Sequence, residues 1–204
     1  MSSELMVIQK ISDNEYLQLK NFLKNFYYEN IVLPNKKETW EYWETELDNS
    51  YRNTAPETEI TTKNFGKTFP FGAAGNIKIT FVFDINYIEQ KSEKFINNIK
   101  RVSIDNFLLT KEFSETKVSY IEYFSTSISS KYETYENPIY IASFPLMFPT
   151  YFVVDGNHRL NARKNKEIPF IKAIILPNEI VCDSLYNEFL KTVYAFSCFL
   201  YSHL

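Results

Sequence analysis

Residues 151–162, YFVVDGNHRLNA, combine an apolar strand, a glycine turn and the start of a helix. The strand ends at Asp155, and Gly156 supplies the turn because glycine accepts backbone angles that other residues avoid. A short helix then runs from Asn157 to about Asn165. The first turn of such a helix has N–H groups without intrahelical acceptors and the positive end of the dipole. The pattern therefore favours an anion at this turn.

Basic side chains follow on the same helix. Arg159 can direct two donors at phosphate oxygens, and His158 can supply another. Arg163 lies four residues further along the same helix face. Asp155, at the end of the strand, is placed to act on a metal ion or on an incoming nucleophile. The spacing fits a purely structural turn equally well, with Asp155 capping the helix and the basic groups in solvent.

The surrounding pattern predicts an α+β domain with a small mixed sheet. Residues 138–142 and 150–154 read as two paired strands, and residues 168–176 as another. A further short strand is expected over residues 100–109, and weak helical spacing over residues 119–130.

Residues 1–97 predict a helical and β-hairpin extension. Ser12 and Glu15 form a capping-box pattern at the start of a helix that should end near residue 30. A second helix carries Trp40 and Trp43 on its apolar stripe, and residues 77–84 alternate as a strand does. Three predicted parts result, namely this extension, a domain over 98–178, and a C-terminal helix over 179–204 packed on that domain.

The C-terminal helix is predicted to be continuous from about Asn178. Along it Cys182 and Cys198 would lie roughly 24 Å apart, too far for a disulfide. Its apolar face could alternatively form a homodimer seam. The apolar end of the helix is too short to span a bilayer, which takes ~20 residues.

Composition restricts the classes of partner. The chain has 22 Lys and Arg against 25 Asp and Glu, a net charge of -3. Duplex-DNA-binding proteins usually have a basic footprint, so nucleic acid is not the favoured partner. The opening residues lack the charged and apolar regions of a signal peptide, and no cysteine spacing fits zinc, so we expect a cytoplasmic protein without a membrane partner.

Residues 98–178 resemble the ParB/sulfiredoxin superfamily. The resemblance rests on Pro138-Ile139, on residues 152–162 with Asp-Gly-Asn-His-Arg, and on the strand at residues 171–175. In that superfamily a Pro-Ile strand leads into a second strand that ends in Asp-Gly-x-His-Arg or Gly-Glu-Arg-Arg, followed by a helix and another strand. The resemblance implies that fold and a nucleotide-phosphate site at the turn.

The resemblance also implies roles for residues of this chain. The implied phosphate-binding positions are Gly156, Asn157, His158 and Arg159, to which the local basic run adds Arg163. Asp155, His158 and Arg159 would be catalytic in phosphoryl transfer or nucleotide hydrolysis. The ligand would be ATP, ADP or CTP, with Mg²⁺ bridged by the nucleotide and Asp155. A carboxylate such as Glu112 or Glu115 would serve as general base.

This chain departs from the superfamily pattern in two places, and each departure argues against one known function of the superfamily. Sulfiredoxins need a cysteine where this chain has Asn157, so sulfinic-acid reduction is excluded. Chromosome-partitioning ParB proteins carry Gly-Glu-Arg-Arg and a following helix-turn-helix domain, for which residues 177–204 are too few.

Three hypotheses remain open at this point. The first is a nucleotide-dependent phosphotransferase or hydrolase. The second is a non-catalytic nucleotide sensor or a nucleic-acid-associated module of the ParB-like nuclease type. The third is an interaction protein that keeps the motif without its activity.

Overall fold

The computed structural model describes residues 6–71, 75–109, 120–126, 136–146 and 150–204. Chain contacts divide the protein into two compact units, one formed by residues 1–84 with 182–204 and the other by residues 85–181. The division differs from the predicted boundaries after residues 97 and 178. It assigns the C-terminal residues to the unit that contains the N-terminal helices.

The first unit contains two helices of similar length, α1 (Asp13–Asn30) and α2 (Lys36–Asn53). The predicted capping box at the start of α1 is confirmed. The Ser12 N–H donates to Glu15 Oε2 at 2.9 Å, and the Glu15 N–H donates to Ser12 Oγ at 3.3 Å. Each bond satisfies an N–H group that the first turn leaves without a partner.

Two antiparallel strand pairs complete this part of the first unit. Strand β1 (Met6–Gln9) pairs with β2 (Glu57–Ile60), and β3 (Asn64–Phe71) pairs with β4 (Ile77–Asp84). The alternation in β4 is as the sequence predicts. The buried residues on its apolar face are Ile77, Ile79, Phe81 and Phe83.

The prediction of one continuous C-terminal helix is wrong. The chain forms α5 (Asn178–Asp183) and α6 (Glu188–Ser202), and Asn187 caps α6 by accepting a hydrogen bond from the Leu190 N–H. Between the helices the Ser184 carbonyl accepts from the Asp84 N–H at 2.8 Å, so pairing with the end of β4 interrupts the helix.

Helix α6 packs against α2 within the first unit. The rings of Trp43 and Phe196 are 4.9 Å apart between centroids, and Val193 and Leu200 are fully buried. The apolar face for which the sequence allowed packing or dimerisation is therefore covered within the chain. The structure places this helix with the N-terminal helices, whereas the sequence predicted that it packs on residues 98–178.

The break between α5 and α6 changes the position of the two cysteines, both of which are free thiols. Cys182 lies in α5 and Cys198 in α6, so the predicted separation along one helix does not apply. Burial, followed by the negative charge of Asp183, raises the pKa of the Cys182 thiol to about 11. Only the thiolate is nucleophilic, so this environment should make Cys182 unreactive near neutral pH.

In a Cys198→Ser protein, we expect iodoacetamide to modify Cys182 about a hundred-fold more slowly at about pH 8.5 than an unburied thiol of ordinary pKa. Mass spectrometry of timed samples measures the rate. The same protein in concentrated urea is the control and should react at the ordinary rate. Equal rates in the folded and unfolded protein would contradict the prediction.

The second unit opens with α3 (Ile85–Ser92) and a 3-10 helix at Glu93–Asn98. The strands that follow form a six-stranded sheet. Along the chain, a short 3-10 turn at Ile104–Asn106 and helix α4 (Asn157–Asn165) lie between these strands. The strands are β5 (Lys100–Ser103), β6 (Phe107–Leu109), β7 (Ile121–Tyr123), β8 (Ile139–Ser143), β9 (Tyr151–Asp155) and β10 (Phe170–Ile175).

The sheet is mixed, with strand order β5-β10-β8-β9-β7-β6. Strands β8 and β9 are antiparallel neighbours, as predicted, and β10 runs parallel to β8. The helical expectation for residues 119–130 is wrong at Ile121–Tyr123, because parallel pairing with β6 and β9 makes this segment a strand. Residues 127–130 lie outside the described part of the chain. The mixed α+β class predicted from the sequence is confirmed.

Helix α4 covers one face of this sheet. Leu160 is fully buried in a core shared with Ile139 of β8 and Val153 of β9. This packing fixes the first turn of α4 beside the start of β8. Of the helices in the described ranges, none is both long enough and apolar enough to cross a membrane.

Candidate functional site

The turn between β9 and α4 requires glycine. Gly156 is the N-cap of α4 and has φ +99°, in the left-handed region. A Cβ atom on this residue would lie 2.4 Å from Ile139 Cγ2. The Leu160 N–H is bonded to the Gly156 carbonyl at 2.9 Å and begins the intrahelical pattern. An α-helix leaves the N–H groups before this one without intrahelical acceptors, and this is the backbone arrangement that the sequence predicts for the turn.

Arg159 and Asp155 form an ion pair inside this turn. Arg159 Nη2 lies 2.9 Å from Asp155 Oδ2, and the two side chains are only 12% and 16% exposed. Nη2 also donates to the Pro138 carbonyl at 3.0 Å. The pair joins the end of β9, the first turn of α4 and the segment before β8. The ion pair therefore positions the Arg159 guanidinium and also neutralises part of its charge.

Arg159 keeps donors that these bonds do not use. Its buried Nε has no hydrogen-bond partner among the residues that the structure describes. A guanidinium has five N–H donors, and both bonds given above come from Nη2. Leaving a buried donor of a charged group unsatisfied is unfavourable, so this position has unused capacity to bind an acceptor.

Arg159 also lines a cavity of about 500 Å³ in the second unit. Ser92 and Glu93 border it on one side, and Asn137 and Tyr140 on another. Arg159 is the one residue of the segment 155–159 that lines it. The volume lies within the usual range for small-molecule sites. The cavity thus offers one cation together with neutral hydrogen-bonding groups and two carboxylates, Glu89 and Glu93.

His158 is half-buried at the second position of α4. The sequence places it on the same helix turn as Arg159, and the structure confirms that turn. His158 does not line the cavity that Arg159 lines.

The side chain of Asn157 is committed to the fold. It is 8% exposed, its Oδ1 accepts from the Phe124 N–H at 2.9 Å, and its Nδ2 donates to the Val153 carbonyl at 3.3 Å. The predicted phosphate contact at this position is thus left to the backbone N–H. The side chain instead links the segment after β7 to β9.

Asn161, which sequence reasoning did not single out, makes a similar link. Its Nδ2 is 3.0 Å from the Phe124 carbonyl, 3.2 Å from Thr126 Oγ1 and 2.8 Å from the Asn157 carbonyl. Asn157 and Asn161 are four residues apart and so share one face of α4. In the sequence, the four-residue spacing of these two asparagines was the feature that could have indicated their shared role.

The predicted basic run does not converge on the turn. Lys164 donates to the Phe107 carbonyl at 2.7 Å and lies 4.8 Å from the centre of the Tyr123 ring. Arg163 lines a different cavity from Arg159 and lies 3.6 Å from Glu136. The structure therefore brings Asp155, Gly156 and Arg159 together and places Arg163 elsewhere.

The described residues offer few ligands for a metal ion. Within the described ranges, no group of three histidine, cysteine, aspartate or glutamate side chains is arranged to hold a metal. Asp155 is the acidic residue of the turn, and one of its oxygens is bonded to Arg159. Glu112 and Glu115, the suggested general bases, lie outside the described residues.

The comparisons with known proteins give no match: no family model, curated protein or solved structure is similar to this chain.

Proposed function

We propose that this protein binds the phosphate of a nucleotide at the Asp155–Arg159 turn. The observation that carries the proposal is Arg159, which lines a cavity of about 500 Å³, has a side chain only 12% exposed, and keeps a buried Nε without a hydrogen-bond partner among the described residues. A guanidinium matches the geometry of phosphate oxygens and donates to two of them at once. The resemblance of this turn to the phosphate-holding turn of the ParB/sulfiredoxin superfamily supports the same assignment.

Each residue of the turn has a part in this proposal. Gly156 permits the backbone to form the turn, and the N–H groups at the start of α4 face the phosphate. Arg159 contributes charge-assisted hydrogen bonds from the cavity wall, and His158, which lies outside that cavity, would add a donor to phosphate oxygens that extend over the first turn of α4. Asp155 offsets the charge of Arg159 in the free protein and keeps the guanidinium in place through the bond at 2.9 Å.

A magnesium ion fits this arrangement only as a companion of the nucleotide. Mg²⁺ is commonly bound by one or two carboxylates together with substrate phosphates. Asp155 would be the protein ligand. Bound in that way, the ion would neutralise charge on the phosphates.

Phosphoryl transfer or nucleotide hydrolysis is the reaction class that this site would serve. Catalysis of phosphoryl transfer depends mainly on positioning and on stabilisation of charge on the phosphoryl oxygens. Arg159 and His158 would supply that charge. Binding without turnover would instead identify the protein as a nucleotide sensor.

A thermal-shift series tests the proposal. The purified protein is heated with ATP, ADP, CTP or inorganic phosphate, each with and without Mg²⁺. A ligand at a hundred times its dissociation constant adds about 2.7 kcal/mol to stability, which is several degrees for a chain of this size. We expect a shift of that size with at least one nucleotide. Products are then measured for that nucleotide alone.

Arg159→Lys is the test variant because it keeps the charge and loses the paired geometry. We expect the nucleotide-dependent shift to fall by more than half, whatever the melting temperature of the unliganded variant. Arg52→Ala is the matched control, since Arg52 has a side chain 73% exposed in the first unit. A nucleotide shift of full size in Arg159→Lys, or none in the parent protein, would refute the proposal.

A further inference from the structure

A second cavity of the same unit concentrates positive charge. It has a volume of about 420 Å³, and three cationic side chains line it. They come from different elements, Arg101 from β5, Arg163 from α4 and Lys172 from β10. Glu136 is the single carboxylate among its lining residues. We refer to Arg101, Arg163, Lys172 and Glu136 as the cationic cradle.

Two of these cations are held side by side by the sheet. Arg101 and Lys172 are direct partners in the antiparallel pairing of β5 with β10. Residues opposite each other project from the same face of a sheet, and like charges in that position are destabilising. An anion placed between them would relieve this repulsion.

Arg101 is also fixed in its position. Its guanidinium lies 4.2 Å from the centre of the Phe170 ring, a stacking distance for a cation over an aromatic face. Arg163 has a side chain only 18% exposed. Side chains that already make such contacts lose less conformational entropy when they bind an anion than side chains that are free in solvent.

Glu136 supplies one negative charge to this cluster. Lys172 Nζ lies 3.0 Å from Glu136 Oε2, and Arg163 Nη2 lies 3.6 Å from Glu136 Oε1. The hydrogen bond from Lys172, and then the charges of Lys172 and Arg163, hold the pKa of the Glu136 carboxyl below its ordinary value. Yet the Glu136 side chain is 72% exposed. Its carboxylate can therefore leave for solvent at small cost.

We propose that the cationic cradle is a second anion site, which binds a phosphate-bearing ligand in place of the Glu136 carboxylate. Glu136 balances one of three positive charges in the free protein, which leaves an excess of two, and its displacement would expose all three to the ligand. A phosphate group carries about 1.5 to 2 negative charges at pH 7, so it matches that excess better than another carboxylate does. Arg101 and Arg163 provide planar donor pairs suited to phosphate oxygens, and Lys172 adds a point charge. The proposal is independent of the Arg159 site because Arg159 does not line this cavity.

Because the ligand would compete with Glu136 for the same cations, removing the Glu136 charge should increase the affinity for the ligand. Calorimetric titration with inorganic pyrophosphate at low ionic strength measures the affinity of each variant. We expect Glu136→Gln to bind several-fold more tightly, because the competing charge is removed. Arg163→Ala and Lys172→Ala should each bind about ten-fold more weakly, as expected for loss of one charge-assisted contact.

Lys166→Ala is the matched control. Lys166 is exposed, follows α4 directly and does not line the cavity, so this variant removes the same charge at a neighbouring position. We expect its affinity to change less than two-fold. An equal loss in Lys166→Ala and Lys172→Ala would overturn the proposal in favour of general surface attraction, and so would unchanged or weaker binding by Glu136→Gln.

Two further comparisons separate this site from the turn at Gly156. If pyrophosphate binds at the turn, Arg159→Lys weakens it while Arg163→Ala and Lys172→Ala do not, which overturns the cradle and leaves the proposed function standing. If the cradle variants lose affinity and Arg159→Lys keeps it, pyrophosphate binds at the cationic cradle and not at the turn, which supports the cradle proposal independently of the proposed function. ADP titrated in parallel distinguishes a site for the diphosphate group, with equal affinities, from one that also uses the nucleoside.

Discussion

Replacing Gly156 with alanine is expected to lower the free energy of unfolding by about 2–6 kcal/mol. A non-glycine residue held at φ +99° costs about 1–3 kcal/mol. The added methyl group would lie 2.4 Å from Ile139 Cγ2 and 2.8 Å from Ile139 Cβ, and overpacking of this kind costs about another 1–3 kcal/mol. Urea denaturation followed by far-UV circular dichroism measures the change.

Gly66→Ala is the control for this experiment. Gly66 lies in β3 and has no left-handed backbone angle, and its added Cβ would lie 3.1 Å from the flexible Cε of Met6 and at ordinary contact distance from Thr80 and Val82. Alanine is favoured over glycine in a strand by about 0.5–1 kcal/mol, so we expect stability to stay within about 1 kcal/mol of the parent. Equal stabilities of Gly156→Ala and the parent protein would show that the turn accepts another conformation.

Removing the Asn157 side chain is expected to lower the free energy of unfolding by about 2–5 kcal/mol. Asn157→Ala leaves the Phe124 N–H and the Val153 carbonyl without the partner that each has now. A buried polar group left unsatisfied costs about 1–3 kcal/mol. The same urea titration measures the loss.

Asn165→Ala is the matched control, since Asn165 is the last residue of the same helix and is exposed. Its replacement should change stability by less than about 0.5 kcal/mol. A loss in Asn157→Ala no greater than in this control would contradict the structural role. In that case the Asn157 side chain would again be a candidate for contact with a ligand.

The order of strand, turn and helix around Gly156 was predictable because it depends on neighbours in the chain. The apolar run of β9 ends at Asp155, and the helix runs over Asn157–Asn165 as expected. The glycine is required both by a local backbone angle and by contact with Ile139. The sequence could indicate the first of these requirements and not the second.

The partners of the polar side chains were not predictable in the same way. Asn157 and Asn161 bond to Phe124, which precedes them by 33 and 37 residues. Asp155 and Arg159 are four residues apart, one on each side of the glycine turn, so the pair they form was within reach of local reasoning. Helical spacing also placed Arg159 and Arg163 on one face, yet the cavities that they line are different.

The sequence by itself determined the α+β class, the capped first helix, the alternation in β4 and the glycine turn before α4. Each follows from periodicity, capping or backbone angles within a few neighbouring residues. Tertiary structure alone decided that Ile121–Tyr123 is a strand, that the C-terminal helix breaks before Asn187, and that Glu136 pairs with Lys172. These outcomes depend on contacts between segments far apart in the chain, whose free energy exceeds the weak local preferences of the residues involved.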